Sequence, residues 1–438
     1  MNTAERGMGL GLRALNRLAG SDILDRVGQR RRVERLVYQG TRRGFMAAGA
    51  ASRGFSAAAK LGSPARQSTT RRPELFDLSL DDEQQMLCEA IGAFAAEQVR
   101  PAALDADGAC ATPAELLTQA SELGITTLGV PEELGGVMSE RSAVTSVLVA
   151  EALARGDVGI ALATLAPGAV ASALGLWGDA DQQSTYLPAF TGDDPPAAAL
   201  ALLEPRALFD PLVPGMRARR EEGDWVLNGV KSLVPRAGEN ELFVVGAHAD
   251  GLGPALFVVE SSTAGVFTEP EPAMGLRAAA TGRLVLEDVR VPARALLGEG
   301  RREVYLECVQ RARIAWCALA VGAAQAVLDY VIPYVNERVA FGEPISNRQA
   351  VAFAVADIGV ELEGMRMLTY RAASRADAGR SFEREAALAR RLCAREGARI
   401  GSEGVQLLGG HGFIKEHPVE RWYRDLRAVG VMEGALLV

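Results

Sequence analysis

Few patterns in this sequence point to acid-base or metal chemistry, and histidine and cysteine are both scarce. Glu433 stands in a short apolar frame, Val431-Met432-Glu433-Gly434, where partial burial would raise its pKa toward neutrality and suit it to act as a general base. A lone glutamate is more often a solvated surface residue, so both interpretations stay open at this point. The three histidines and five cysteines show no metal-ligand spacing, and we expect no metal site.

The charge of the chain is divided unevenly between an N-terminal arm and the remainder. Residues 1–73 carry 14 Arg and Lys60 against four acidic residues, a net charge of +11, so the total of −8 leaves −19 for the rest. An acidic body is a poor platform for nucleic acid, and we expect no nucleic-acid partner. A basic arm with helical stretches such as Ile23–Tyr38 suits peripheral contact with anionic lipid.

The compartment follows from the cysteines and from the arm. Five scattered cysteines in a 438-residue chain indicate a reducing environment. We therefore predict a cytoplasmic protein, membrane-associated through its arm, with the mitochondrial matrix as the alternative because the arm is rich in arginine and poor in acids.

Hydrophobic periodicity divides the chain into four segments and predicts an α+β, mainly α fold. Residues 1–75 are the basic arm and its Ser/Pro/Thr/Arg linker, and 76–195 show helical spacing typical of a bundle. Short β-type runs between 196 and 300 indicate a small central β domain, and 301–438 return to helical spacing as a C-terminal bundle.

Local signals mark where the elements of the first half begin and end. Ser79 and Asp82 resemble a capping box, and helix breaks are predicted at Pro101, at 131–136 and at Pro188. The uncharged run 158–178 has the length of a bilayer span, but Pro167-Gly168 at its middle favours two buried soluble helices.

Comparable signals mark the second half. Asn228-Gly229 between apolar runs predicts a hairpin turn in the β domain. Helices are expected over 315–335, 349–378 and 382–408, and Gly409-Gly410 is a stop signal for the last of them.

Several strings, taken in order, resemble the acyl-CoA dehydrogenase family from about Leu75 to the last residue. The most specific is Gln406-Leu-Leu-Gly-Gly-His-Gly-Phe413, followed by Arg424-Asp425 and Glu433-Gly434. Met274-Gly-Leu-Arg277 in the β segment also matches the wording of the family. The resemblance implies α,β-dehydrogenation of an acyl-CoA thioester, with Glu433 as the catalytic base.

This reaction requires a hydride acceptor, and no amino-acid side chain accepts hydride. The resemblance therefore implies FAD as cofactor, with an electron-transfer flavoprotein or a similar acceptor as redox partner. It also implies that Arg313 helps to bind substrate and to order the catalytic segment.

A second group of residues resembles the family segment that reaches the FAD diphosphate of a neighbouring subunit. An arginine fork suits phosphate oxygens, and adjacent glycines permit close backbone approach. A site shared in this way implies a homodimer or homotetramer. The residues concerned are Arg338, Phe341, Gln349, Gln406, Gly409 and Gly410.

The positions that hold the flavin ring depart from the family pattern. The usual hydroxyl groups are replaced, and Phe209 also falls where the family meets substrate. Each lost hydrogen bond would cost about 1–3 kcal/mol, so we expect a weakened flavin clamp. The aligned residues are Leu203, Phe209, Leu233, Val234, Pro235 and Ala435.

Two expectations follow from these departures. A flavin-poor or non-catalytic scaffold subunit, pairing with an active paralogue, is the alternative function. Family members continue with another helix where this chain stops, five residues after Glu433, so a truncated C-terminal domain is also expected.

Overall fold

Helices flank a central β-sheet in the described part of the chain, which is residues 79–136, 142–192 and 194–433 of a computed structural model. This arrangement confirms the predicted α+β, mainly α class with helical N- and C-terminal parts. The predicted helix Ile23–Tyr38 and the predicted clamp residue Ala435 lie outside the described residues. The exact domain boundaries stay a prediction.

The N-terminal part is built from six helices within the described residues. Asp81, and neither Ser79 nor Asp82, is the N-cap of the first, because its carboxylate accepts from the Gln84 N–H at 2.7 Å while Gln84 bonds back. Ile91 and Phe94 of that helix are buried as its spacing predicts. The helices are α1 (Asp82–Phe94), α2 (Arg100–Ala109), α3 (Ala114–Glu122), α4 (Ala143–Gly156), α5 (Val158–Trp177) and α6 (Ala180–Tyr186).

The predicted break at Pro101 is wrong, because α1 continues into α2 through a π-helical turn, Ala95–Val99. In this turn the Arg100 N–H donates to the carbonyl of Ala95, five residues back. A proline lacks the backbone N–H of an α-helix, and its ring clashes with the preceding turn. A wider π-turn accommodates both effects, so the chain stays helical. The breaks near 131–136 and Pro188 are confirmed as short 3₁₀ turns.

The run 158–178 is one helix, α5, and the prediction of two helices is wrong. Pro167 lies inside it, and the Asp157 carboxylate caps its first turn by accepting from the Ile160 N–H at 3.0 Å. By length and composition alone, α5 and the helix Arg302–Glu337 are the two among the described residues that match a membrane span. Most of both helices is buried inside the fold, as is usual for core helices.

The central sheet has eight strands, in the order β6-β7-β3-β2-β4-β5-β8, with β1 paired to β4. Its inner face is packed with alternating apolar residues such as Phe243, Val245 and Phe257. The strands are β1 (Ala198–Ala201), β2 (Arg217–Glu221), β3 (Asp224–Val234), β4 (Leu242–Ala249), β5 (Gly253–Glu260), β6 (Val266–Pro270), β7 (Gly282–Val291) and β8 (Leu296–Leu297).

The predicted hairpin at Asn228-Gly229 is also wrong, because both residues lie inside the long strand β3. The ladder to β7 shifts register between Leu227 and Gly229, which is a β-bulge. Gly229 has φ +148°, and the Asn228 side chain exchanges two 2.9 Å hydrogen bonds with Asp288. The Asn-Gly pair therefore bends a strand here and does not reverse the chain.

The C-terminal part is dominated by three long helices. The first begins at Arg302, well before the predicted Ala315, and packs against α4 of the N-terminal part as well as the helices that follow it. A Cβ at Gly322 would collide with the Glu151 carbonyl of α4, so glycine permits that close approach. The elements are α7 (Arg302–Glu337), β9 (Val339–Ala340), β10 (Glu343–Pro344), α8 (Gln349–Asp377), α9 (Glu383–Leu408) and α10 (Val419–Leu426).

Candidate active site

A cavity of about 430 Å³ opens between α4, α5, α7 and the loops at one end of the sheet. Most of its lining is apolar, which favours an acyl chain or an aromatic ring over a polar ligand. Four predicted site residues line it together: Leu203, Leu233, Pro235 and Glu433. Residues separated by more than 200 positions are thus brought to one site.

Glu433 is the last described residue and lies a short turn beyond α10. Its side chain is buried, and its Oε2 atom has no hydrogen-bond partner among the described residues. The backbone adopts φ +53°, a left-handed conformation that is uncommon for a residue with a side chain. Such strain is typical of functional positions, where the surrounding structure fixes a side chain in place.

The electrostatics at Glu433 suit a general base. Burial raises its pKa, while Arg390, the Trp316 indole and Arg313 act in the opposite direction. The closest of these charges is Arg390, whose Nη1 lies 3.9 Å from Oε2. The carboxylate is therefore more basic than a solvated glutamate, and one of its oxygens is available to accept a proton.

Two groups on α7, Arg313 and Cys308, influence Glu433, and only one of them lines the cavity. The Nε atom of Arg313 is buried and has no hydrogen-bond partner among the described residues, and Arg313 itself does not line the cavity. The Cys308 thiol does line it, and burial, with the added charge of Glu433, raises the pKa of that thiol to about 12. Cys308 is therefore neutral and contributes apolar surface.

The clamp residues divide into two sets. Leu203, Leu233 and Pro235 line the cavity, whereas Phe209 and Val234 are buried in the core and do not. The Phe209 ring packs under the guanidinium of Arg206, whose central carbon lies 5.3 Å from the ring centroid. Phe209 therefore helps to build the loop and does not face a ligand in this conformation.

The backbone beside the clamp is already hydrogen-bonded. The Leu233 N–H and the Ser232 hydroxyl both donate to Glu271 Oε2 at 2.8 Å, and Leu233 has φ +51°. The amide of Ser232 donates to the Leu203 carbonyl at 2.9 Å. Two parts of the clamp are thus locked to one another before any ligand binds.

A planar flavin ring fits the chemistry of this cavity. Apolar Leu203, Leu233 and Pro235 provide a surface for the ring, and the unpaired carboxylate oxygen of Glu433 belongs to the same cavity. The cavity would therefore bring a hydride-accepting ring together with a base.

The predicted diphosphate residues lie elsewhere. All six are solvent-exposed, and none lines the Glu433 cavity; they are Arg338, Phe341, Gln349, Gln406, Gly409 and Gly410. They occupy the ends of α7 and α9, the segment between α7 and α8, and the first residue of α8. The Tyr334 hydroxyl at the end of α7 donates to the Leu408 carbonyl at 3.4 Å. A Cβ atom added to Gly409 or Gly410 would meet no other atom within 4 Å, which leaves room for a ligand.

Sequence reasoning missed three charged residues of this region. Glu204 and Lys231 form a buried ion pair behind the clamp, with 2.9 Å between Oε1 and Nζ. Arg390 belongs to the buried stripe of α9 with Ala386 and Cys393. The signal for Arg390 was available in the i, i+3, i+4 spacing, which places it on the core-facing side of the helix.

Three family models match almost the entire described chain. The N-terminal, middle and C-terminal domain models of acyl-CoA dehydrogenase match residues 81–193, 199–289 and 299–436. The mitochondrial short-chain specific acyl-CoA dehydrogenase of Bos taurus is 32% identical over 369 residues, which are 82% of this chain and 88% of the relative.

Solved structures give the same result. The butyryl-CoA dehydrogenase of Megasphaera elsdenii superposes with a TM-score of 0.77 at 28% identity, covering 83% of this chain and 97% of that one. A chain in a structure of the electron transferring flavoprotein of Acidaminococcus fermentans superposes with a TM-score of 0.76 at 28% identity, over 83% and 97% of the two chains.

The fold and the site define an FAD-dependent oxidoreductase that acts on thioesters. The chain belongs to the acyl-CoA dehydrogenase family. The expected α,β-dehydrogenation of an acyl-CoA with FAD as cofactor is thereby confirmed, and nothing in the comparisons favours the alternative of a non-catalytic scaffold subunit.

Proposed function

We propose that Glu433 is the base that removes the α-proton of the acyl-CoA thioester. The observation that carries the proposal is its buried, unpaired Oε2 atom in the cavity that also contains the clamp residues. FAD, when bound, accepts the hydride from the β-carbon. The protein's part is to hold the thioester between the clamp and Glu433, to exclude water and to accept the proton on Oε2.

The remaining roles follow from position around the cavity. Leu203, Leu233 and Pro235 would pack against the flavin ring and would hold it by shape in place of the hydroxyl groups of the family. Arg313, with its buried unpaired Nε, orders the segment that carries Glu433 and contributes positive charge near the thioester. The backbone N–H of Glu433 polarises the thioester carbonyl, which makes the α-proton more acidic.

The exposed residues support a homodimer or homotetramer in which each subunit contributes to its neighbour's FAD. The six predicted diphosphate residues face solvent in the single chain, away from the cavity. Large apolar side chains near them are exposed as well, which is the pattern of an uncovered interface. They are Val339, Phe353 and Phe413.

The acceptor and the compartment belong to the same proposal. The redox partner would be an electron-transfer flavoprotein or a similar acceptor, since one structural relative comes from such a system. The reaction takes place in the cytoplasm or the mitochondrial matrix, in agreement with the mitochondrial and bacterial sources of the relatives. The net charge of +11 in residues 1–73 supports peripheral contact of the arm with anionic membranes.

The test is a Glu433→Gln variant, which is nearly isosteric and cannot act as a base. We expect acyl-CoA turnover to fall by at least about a hundredfold, the scale of general-base catalysis. Flavin content, measured from absorbance at about 450 nm, should be unchanged. Glu383→Gln, at an exposed position in the first turn of α9, is the matched control and should keep parental turnover.

Near-parental turnover of Glu433→Gln with full flavin content would refute the assignment of the base. Parent protein that binds acyl-CoA yet never bleaches its flavin would refute the proposed reaction.

A further inference from the structure

Arg390 is a buried guanidinium that contacts the catalytic segment from α9. Its exposed fraction is 6%, and its Nη2 donates a hydrogen bond to the carbonyl of Met432, the residue before Glu433. Its Nη1 lies 3.9 Å from Glu433 Oε2, close enough for an ion pair but too far for a hydrogen bond. One side chain therefore contacts both the backbone and the carboxylate of this segment.

Arg390 lies on the buried side of its helix, where a charge without a partner is energetically unfavourable. Ala386, Arg390, Cys393 and Gly397 form a buried stripe, whereas the adjacent Arg391 is exposed. Burial lowers the pKa of Arg390, and the charge of Glu433 opposes that change. A buried charge is retained only where a partner compensates for its lost hydration, and Glu433 is such a partner.

We propose that Arg390 is a positioning residue that keeps the Glu433 carboxylate ionised and fixes the turn that presents it to substrate. The inference rests on the proposed role of Glu433 as the base. An apolar cavity favours the neutral acid, which has no basic oxygen, and a positive charge within about 4–6 Å restores the ionised form. Because Nη1 makes no hydrogen bond to Oε2, that oxygen stays free to take the proton.

The other groups near Glu433 do not replace this effect. The groups that interact with Glu433 are Arg313, the Trp316 indole and the neutral Cys308 thiol on α7, and Arg390 on α9. Arg390 has the largest favourable influence on the ionised carboxylate, ahead of Trp316 and Arg313. Loss of Arg390 should therefore raise the pKa of Glu433 even with both α7 groups in place.

The test is the pH dependence of kcat/KM for Arg390→Gln, measured from pH 6 to pH 9 on protein shown to retain FAD. We expect the acid limb of the profile to move to higher pH. The fold-decrease in kcat/KM relative to the parent should therefore be about ten times larger at pH 6 than at pH 9. A merely structural role would lower the rate equally at every pH. An unmoved acid limb, or no loss at all, would overturn the proposal.

Two further variants keep the result decisive. Arg391→Gln removes the same charge one residue away at an exposed position, and its pH profile should match that of the parent. Arg390→Lys keeps a positive charge and should leave the acid limb where the parent has it. If Arg390→Gln does not fold, a displaced acid limb in Arg390→Lys overturns the proposal on its own.

Failure of this inference is distinguishable from failure of the proposed function. If Glu433→Gln is inactive and Arg390→Gln shows an unmoved acid limb, Glu433 remains the base and the role of Arg390 alone is wrong. If Glu433→Gln remains active, the proposed base is wrong whatever Arg390→Gln shows.

Discussion

Lys231 Nζ donates to Glu204 Oε1 at 2.9 Å in a site where the lysine is fully buried and the glutamate is 7% exposed. Glu204 also accepts from the N–H groups of Gly215 and Met216, and Lys231 donates to the Leu202 carbonyl at 3.1 Å. Burial raises the pKa of Glu204, but Lys231 and these N–H groups outweigh it, so the net pKa is lowered. The pair ties the clamp-bearing loop after β1 to strand β3.

The first prediction concerns this pair. Lys231→Met should lower the free energy of unfolding by about 3–5 kcal/mol, because it leaves the Glu204 carboxylate buried without its counter-charge. It should also weaken FAD retention, since Leu203 and Leu233 lie on the two segments that the pair connects. Urea titration and the rate of flavin release measure the two effects.

The control is Arg219→Met on the same sheet, where the pair with Glu221 is half exposed. A surface pair of this type contributes about 0–1 kcal/mol, so this variant should be nearly neutral. Equal losses in the two variants would contradict a special role for the buried pair.

The second prediction concerns the clamp. Leu203→Thr combined with Pro235→Thr should lower the dissociation constant of FAD by about tenfold, because each restores a hydrogen-bonding group to the cavity lining. Equilibrium binding of FAD to the stripped protein is the measurement. Unchanged affinity would mean that packing alone already holds the ring.

Phe209→Ser behaves differently from those two substitutions, although the family has a hydroxyl at that position. Phe209 is 2% exposed and packs in the core, so its removal should cost about 3–5 kcal/mol of stability. Thermal or urea unfolding of the single variant measures this cost. A parental unfolding free energy would show that the loop repacks around the smaller side chain.

The third prediction is a pH dependence of stability. Burial raises the pKa of Asp425 to about 7, with a further rise from Asp157, against the effects of the Leu276 N–H and of Arg424 and Arg421. A carboxyl whose folded pKa lies above its ordinary value of 3.8 is bound to a proton more tightly in the native state. Its contribution therefore stabilises the fold below about pH 4 and is lost as the pH rises toward 7.

Asp425→Asn removes that titration and keeps the side-chain oxygen that accepts from the Leu276 N–H at 2.6 Å. We expect the melting temperature of the variant to fall less than that of the parent between pH 5 and pH 8. Parallel melting curves across this range would show that Asp425 is ionised throughout.

The fourth prediction concerns the basic arm. Removal of residues 1–73 should leave a folded protein with parental turnover, because the first described helix begins at Asp82 with its own cap at Asp81. Binding to anionic liposomes should be lost with the net charge of +11. Liposome sedimentation and enzyme assays on the shortened chain measure both results, and an insoluble product would show that the arm is needed for folding.

The fold class and the family could be predicted from the amino-acid sequence alone. Helical and alternating periodicities report local burial, and the ordered strings around Met274, Gln406 and Glu433 are specific because several positions must match at once. Predictions from local signals were wrong where a neighbouring element changed the conformation of the segment. Asn228-Gly229 became a bulge because β7 pairs with the whole strand, and Pro101 stayed helical because a π-turn precedes it.

Which of these residues meet in one site depends on the packing of the folded chain. That packing brought Leu203, Leu233 and Pro235 into one cavity with Glu433, and it put Phe209 in the core instead. Contacts between residues more than 200 positions apart depend on how α7 packs against α4, α8 and α9, and no local pattern encodes that packing. For the same reason the partners of buried charges, Arg390 with Glu433 and Lys231 with Glu204, emerged only from the folded chain.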